Sequence, residues 1–187
     1  MASGLNTLEL AHQFVKAHVK RGDLCIDATC GRGRDTALLC GLVGAEGRVL
    51  AFDVQQEAVD ATRALLKAQG HANAEVLLTS HERMGEYAEA GSVAAVMFNF
   101  GWLPGGDHNV FTQPESSLAA LAQALGLLKP GGIVSMCIYY GRNNGYAERD
   151  ALLAAVAKLD PEHFTVMRTE FVNRTGEPPI GVFIIKD

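Results

Sequence analysis

Five short runs of nearly unbroken apolar residues, LCIDAT, GRVLAFDV, AEVLLTS, VAAVMFNF and IVSMCIYY, alternate along this chain with stretches of helical spacing. A strand that is apolar on both sides must be covered on both sides, and helices between the strands provide that cover by lying on each face of a parallel sheet. Two further runs, FTVMRTEFVN and GVFIIK, are joined by RTGEPPI, which suits an antiparallel pair. The expected architecture is a doubly wound, mostly parallel seven-stranded α/β sheet of the Rossmann-like type with a C-terminal antiparallel strand pair, in a single domain over residues 1–187. The intervening helices are expected at 5–20, from Asp35 to Gly41 or Gly44, over QEAVDATRALLKAQG, over ESSLAALAQALGLL with Lys-Pro-Gly-Gly as its stop, and from about Ala147 to Leu159. A short helical stretch is expected between the third and fourth runs.

Composition removes several classes. With 48% hydrophobic and 20% charged residues the chain reads as an ordinary globular protein. No apolar run is long enough to span a membrane and the N-terminal segment carries an acid, so the expected location is the cytoplasm, with no membrane partner. The four cysteines lack metal-ligand spacing; they read as buried reduced thiols, and no metal is expected. The net charge of −5 disfavours nonspecific coating of nucleic acid but is compatible with a local basic patch that docks one folded RNA.

The chemistry concentrates in IDATCGRGRDTALL, where a strand ends in Asp27 and passes through Gly31 and Gly33 into a helix. In such sheets ligands bind beyond the carboxyl ends of the strands, and a glycine turn lets backbone approach a nucleotide closely. A dinucleotide fingerprint lacks its third glycine here, since Thr36 occupies that position, and a phosphate loop lacks its lysine. What remains is an acid placed before the glycines. It would repel a pyrophosphate but suits a ligand with a positive amino group. Asp53 ends the next strand, where a ribose diol would lie. An amino acid joined to a nucleoside describes S-adenosylmethionine, and the reading is a class I methyltransferase. Topology places Ser80 and His81 near the adenine, with a solvated loop as the alternative for His81. It places Asn99 where enzymes acting on nitrogen present a polar residue to the acceptor. Trp102, Asp107 and His108 follow in a glycine- and proline-rich loop.

The segments DATCGRGRDT, FDVQ, TSHE, FNFGWLPGGD and YYGRNNGYAERD, in this order, resemble the small bacterial methyltransferase family once labelled rRNA methylases, whose studied members are tRNA 5-aminomethyl-2-thiouridine methyltransferases. The resemblance runs from about Ala17 to the C-terminal residue and implies methylation of the exocyclic amine of 5-aminomethyl-2-thiouridine at the tRNA wobble position. By motif it implies that Asp27, Thr29, Gly31, Gly33, Asp53, Gln55, Ser80, His81 and Asn99 line the S-adenosylmethionine site. On the same basis Gly105, Gly106, Asp107, Tyr139 and Tyr140 border the acceptor base. Asn99 would orient the amine, and Asp107, Tyr139 or Tyr140 would hold it and relay its proton. Trp102 or Tyr140 would stack on an anticodon base, with Lys16, Lys20, Arg21, Arg32, Arg34, Arg142 and Arg174 as the cations facing an anticodon stem-loop. A homodimer supplying a second tRNA surface also follows from the resemblance. This chain departs from the family pattern at Arg32 and Arg34 (family DATCGNGHDT), at Tyr140 (usually His) and at TGEPP (usually NNPP). Methylation of rRNA or of a small-molecule amine is the alternative.

Overall fold

The structure, a computed structural model, describes residues 4–101, 113–141 and 145–187. Strands β1 (Leu24–Asp27), β2 (Arg48–Asp53), β3 (Ala74–Leu78), β4 (Val93–Phe100), β5 (Leu128–Ile138), β6 (Phe164–Thr169) and β7 (Ile180–Lys186) form one seven-stranded sheet. The order is β3-β2-β1-β4-β5-β7-β6; β7 runs antiparallel to both β5 and β6, and the other pairings are parallel. This is the expected sheet. Successive residues of a strand point to opposite faces, and here both faces are apolar. Ile26, Leu50, Val96, Phe98 and Phe100 pack on one side beneath α4 (Pro114–Leu127) and α5 (Tyr146–Val156). Cys25, Val49, Ala51, Ala95 and Met97 pack on the other beneath α1 (Thr7–His18), α2 (Arg34–Val43) and α3 (Gln56–Ala68).

Helix α1 begins at an Asn6 cap, whose side chain accepts the Glu9 N–H at 2.9 Å. Its first residue is pinned across the fold, because the Thr7 hydroxyl donates to the Pro179 carbonyl at 2.7 Å. Helix α4 ends at Leu127, just before Lys-Pro-Gly-Gly, as expected of a helix stop, but that segment itself lies within β5, which begins at Leu128 rather than at Ile133. There the pairing with β4 jumps from Leu128 opposite Val93 to Ile133 opposite Ala95, and a Cβ on Gly132 would meet the Val93 carbonyl at 2.9 Å. The glycine permits a bulge that keeps the strand going. Between β3 and β4, the expected helical stretch is a 3-10 turn over His81–Glu86. All four cysteines are free and buried. Among the described residues no helix is long and apolar enough to cross a membrane.

The order reverses at β1, since the chain winds outward through β2 and β3 on one side and through β4 and β5 on the other. The carboxyl ends of β1 and β4 therefore border a crevice, the position where open α/β sheets take ligands. Phe98, fully buried and stacked on Phe100 at 4.8 Å between ring centroids, supports the β4 side of that crevice. Phe98→Ala is expected to cost about 3–5 kcal/mol and Phe98→Leu less than about 2, read by urea denaturation.

Candidate active site

Asp27 closes β1 and is wholly buried. One carboxyl oxygen accepts the Thr36 hydroxyl at 2.6 Å and the other accepts the Thr29 N–H at 3.2 Å. Burial, followed by the neighbouring Asp35 carboxyl, pushes its pKa up to about 7 against the pull of those two hydrogen bonds. Among the described residues no cation pairs with it.

The glycine turn is tied to β2 and α3. The Gly31 N–H donates to one Asp53 oxygen at 3.0 Å, the Gln55 N–H donates to the other at 3.0 Å, and the Thr62 hydroxyl donates to the Gly31 carbonyl at 3.1 Å. Gly33 sits at φ +79°, where a Cβ would lie 2.9 Å from the Thr62 Cα. Helix α3 thus presses on the turn, and only glycine fits without strain.

Asp35, in the first turn of α2 and 6% exposed, links two elements far apart in sequence. One oxygen accepts from His12 Nε2 at 2.7 Å and the other from Asn99 Nδ2 at 2.7 Å. The Asn99 backbone N–H donates to the Thr29 hydroxyl at 2.8 Å. The helix N-terminus also favours a carboxylate here. His12 and Asp35 are absent from the sequence-derived set. The faint signals they carry are an acid at a helix start and a histidine on the apolar stripe of α1.

His81 is buried rather than solvated. Its Nδ1–H donates to the Ala28 carbonyl at 3.1 Å, Phe98 and Phe100 meet its ring edge-on at 6.0 and 6.1 Å, and burial lowers its pKa. Ser80 caps the 3-10 turn, accepting the Glu82 N–H at 3.4 Å. Val54, directly after Asp53 at the carboxyl end of β2, is an apolar side chain 59% exposed that the sequence reading did not single out. Tyr139 follows β5 and packs beside Ala11, Cys137 and Phe183; burial pushes its hydroxyl up to about 12. The Tyr140 ring meets the Tyr146 ring edge-on at 5.8 Å and carries the Arg149 guanidinium 4.7 Å from its centroid.

Direct hydrogen bonds therefore join Asp27 to Thr29, Thr29 to Asn99, and Gly31 and Gln55 to Asp53, with His81 reached through Ala28. Arg32 and Arg34 stand exposed on either side of Gly33. Arg21 lies elsewhere, against Gly44 at the far end of α2, and Arg174 stacks on Phe171 while donating to the Leu5 carbonyl. Trp102, Gly105, Gly106, Asp107, His108 and Arg142 lie outside the described residues. A cleft of about 620 Å³ opens at the opposite end of the sheet, lined by Gly44, Gly47, His71 and Glu75 among others; none of Asp27, Asp53 or Asn99 borders it.

A family model described as "Putative rRNA methylase" matches residues 49–185. The chain belongs to this family. It is 35% identical to an Arabidopsis thaliana protein named tRNA (mnm(5)s(2)U34)-methyltransferase, chloroplastic, over 95% of this chain and 68% of that one. A crystal structure of a "putative rRNA-methylase" from Clostridium thermocellum superposes with a TM-score of 0.96 at 41% identity, covering 99% of this chain and 100% of the other. A "putative methyltransferase" from Streptococcus mutans, solved in complex with SAH, gives 0.89 at 36% identity over 98% and 99%. The fold is that of class I methyltransferases, and the chain is a methyltransferase.

The glycine turn yields a contrast. Gly33→Ala must adopt a left-handed backbone against Thr62 and is expected to destabilise by at least about 1–2 kcal/mol. Gly41→Ala, on an open helical site, is expected to be neutral or to stabilise by up to about 1 kcal/mol. Thermal unfolding of the two variants checks both signs.

Proposed function

We propose that this chain transfers a methyl group from S-adenosylmethionine to the exocyclic amine of 5-aminomethyl-2-thiouridine at the wobble position of tRNA, giving the 5-methylaminomethyl form. The observation that carries this reading is the setting of Asn99. A carboxylate only accepts hydrogen bonds, so Asp35 draws the Asn99 NH2 group toward itself and leaves the amide oxygen to accept an N–H from an incoming amine. The named activity of the Arabidopsis relative supports the tRNA acceptor. The family description, which names rRNA, favours rRNA as the second reading.

The residues present fit the methyl donor. Asp27, Asp35 and Asp53 surround one glycine turn, an arrangement that disfavours a pyrophosphate and favours a ligand with net positive charge. In this reading Asp27, Thr29 and the backbone of Gly31 and Gly33 hold the amino-acid end. Asp53 and Gln55 hold the ribose, and Val54, Ser80 and His81 border the adenine. Bound there, S-adenosylmethionine would supply an electrophilic sulfonium methyl, the amine lone pair forming the N–C bond as the C–S bond breaks to leave S-adenosylhomocysteine, with the proton of the resulting ammonium passing to solvent water. Asn99 aligns the amine, which is the main catalytic need, since a neutral primary amine is already a good nucleophile. Tyr139, with its hydroxyl kept protonated at neutral pH, holds rather than takes that proton. Asp107, Tyr140, Gly105 and Gly106 border the acceptor on the strength of the resemblance, while Trp102 is assigned to stacking on a base and Arg142 to docking the RNA by residue type and position in the sequence. Arg32 and Arg34 flank the turn and offer phosphate contacts. The reading keeps one domain and a homodimer, also on the resemblance.

Two experiments test it. Purified protein with S-adenosylmethionine is added to tRNA bearing 5-aminomethyl-2-thiouridine, with rRNA and amine metabolites as parallel arms, and nucleosides are read by mass spectrometry. Conversion in the tRNA arm alone is expected; conversion only in another arm overturns the acceptor. The second uses pH. The folded-state pKa of Asp27 is raised, so the stability this group contributes is complete below its unfolded value of about 4 and is lost as pH rises through about 7. The α-ammonium group that S-adenosylmethionine and S-adenosylhomocysteine share favours the ionised carboxyl when placed beside it. Affinity for S-adenosylhomocysteine should therefore climb over the same interval, with proton release on binding at about pH 6 that fades by about pH 8. Calorimetric titration in buffers of different ionisation enthalpy measures that release.

A further inference from the structure

We propose that His12 and Asp35 are positioning residues for methyl transfer: the pair fixes which end of the Asn99 amide faces the acceptor, making α1 a structural part of the acceptor site. The inference rests on Asn99 as the residue that orients the amine.

The two ends of an asparagine amide are nearly the same size, so nothing in Asn99 itself decides whether oxygen or NH2 meets the reacting nitrogen. The difference matters. An amide oxygen accepts from the amine and leaves its lone pair free, whereas an NH2 would donate to that lone pair and block it. The Asn99 backbone is fixed through Thr29, 2.8 Å away, but this leaves the side-chain torsion open. Asp35 closes it with an acceptor-only oxygen 2.7 Å from Asn99 Nδ2.

Asp35 needs holding in turn, because a carboxyl with one bonded oxygen can swing. His12 binds the other oxygen at 2.7 Å. The histidine side chain is 20% exposed and the aspartate side chain 8%, so the bond between them is largely shielded from water. His12 stands on a helix anchored at its start by the Asn6 cap and by the bond from Thr7 to Pro179. Two charge-assisted bonds in series therefore connect α1, α2 and the end of β4, across sequence separations of 23 and 64 residues. A mere staple for α1 would need Asp35 to reach His12 but not Asn99.

The test compares Asp35→Asn, His12→Ala, His12→Gln, Asn99→Ala and the double variant Asp35→Asn with Asn99→Ala. An amide in place of the Asp35 carboxylate can donate as well as accept, so it no longer selects the orientation of Asn99. Asp35→Asn is expected to lower kcat at least about tenfold while the KM for tRNA and the Kd for S-adenosylhomocysteine stay within about twofold. His12→Ala should lower kcat about fivefold, and His12→Gln, whose NH2 can donate to Asp35, should recover most of it. The double variant should be no slower than Asn99→Ala alone, because both changes act through one group. A double variant as slow as the product of the two single losses overturns the proposal. So does an Asp35→Asn protein with intact kcat and only a lowered melting temperature. Side-chain amide NMR of the free protein gives a readout independent of the acceptor. The Asn99 NH2 protons should lie downfield and shift with Asp35→Asn and with His12→Ala; an Asn99 pair indifferent to both overturns the proposal. If the wild-type protein leaves wobble uridine unmethylated, the acceptor assignment fails on that arm, and the NMR readout still decides the positioning role.

Discussion

A parallel sheet sealed by helices on both faces can offer polar chemistry only where its strands end. That constraint organises this molecule. The interior residues of β1, β2, β4 and β5 are almost wholly apolar because they meet α1, α2 and α3 on one side and α4 and α5 on the other. The first side chains free of that demand are Asp27, Asp53, Asn99 and Tyr139, each at or just beyond a carboxyl strand end. The reversal of strand order at β1 opens space between Asp27 and Asn99, and the rest of the site is built into that space.

Gathering three carboxyls around one turn carries an electrostatic cost, which the chain offsets with backbone more than with countercharge. Asp53 accepts two main-chain N–H groups, and Asp27 accepts one together with a hydroxyl. Asp35 alone among the three bonds to a basic ring. Among the described residues no arginine or lysine pairs with these three carboxyls, and a ligand carrying a positive group is the natural complement. The turn itself exists because Gly31 and Gly33 tolerate positive φ and Gly33 tolerates the approach of Thr62.

Strand ends and the glycine turn were legible in the sequence because their signals are local. An apolar run ending in an acid, followed by two glycines and a helix, requires no knowledge of distant residues. The antiparallel pair was legible for the same reason, through the turn-rich RTGEPPI. The His12–Asp35–Asn99 connection was not legible, since neither its spacing nor its residue types mark it until the sheet order is known. His81 reads from its position after β3 either as a residue near the adenine or as a solvated loop histidine; the two phenylalanines of β4 that meet its ring edge-on remove the solvated alternative. Lys-Pro-Gly-Gly reads as a helix stop, and α4 does end just before it; the early entry of these residues into β5, as a bulge beside Val93, was not legible because it depends on the pairing with β4.

The placement of β7 bears on how the molecule is assembled as it is made. The sheet order seats Ile180–Lys186 between β5 and β6, so the last strand in chain order is interior while the earlier β6 lies at the margin. The ribosome delivers β5 after its parallel partner β4 but before its antiparallel partner β7. Until Ile180 emerges, β5 keeps an open hydrogen-bonding edge and α1 lacks its anchor at Pro179. The strands from β3 to β5 can pair in the order in which they are synthesised, whereas the far edge of β5 and the anchor of α1 wait for Pro179 and β7. Vectorial synthesis thus leaves the helix that carries His12 to be anchored last.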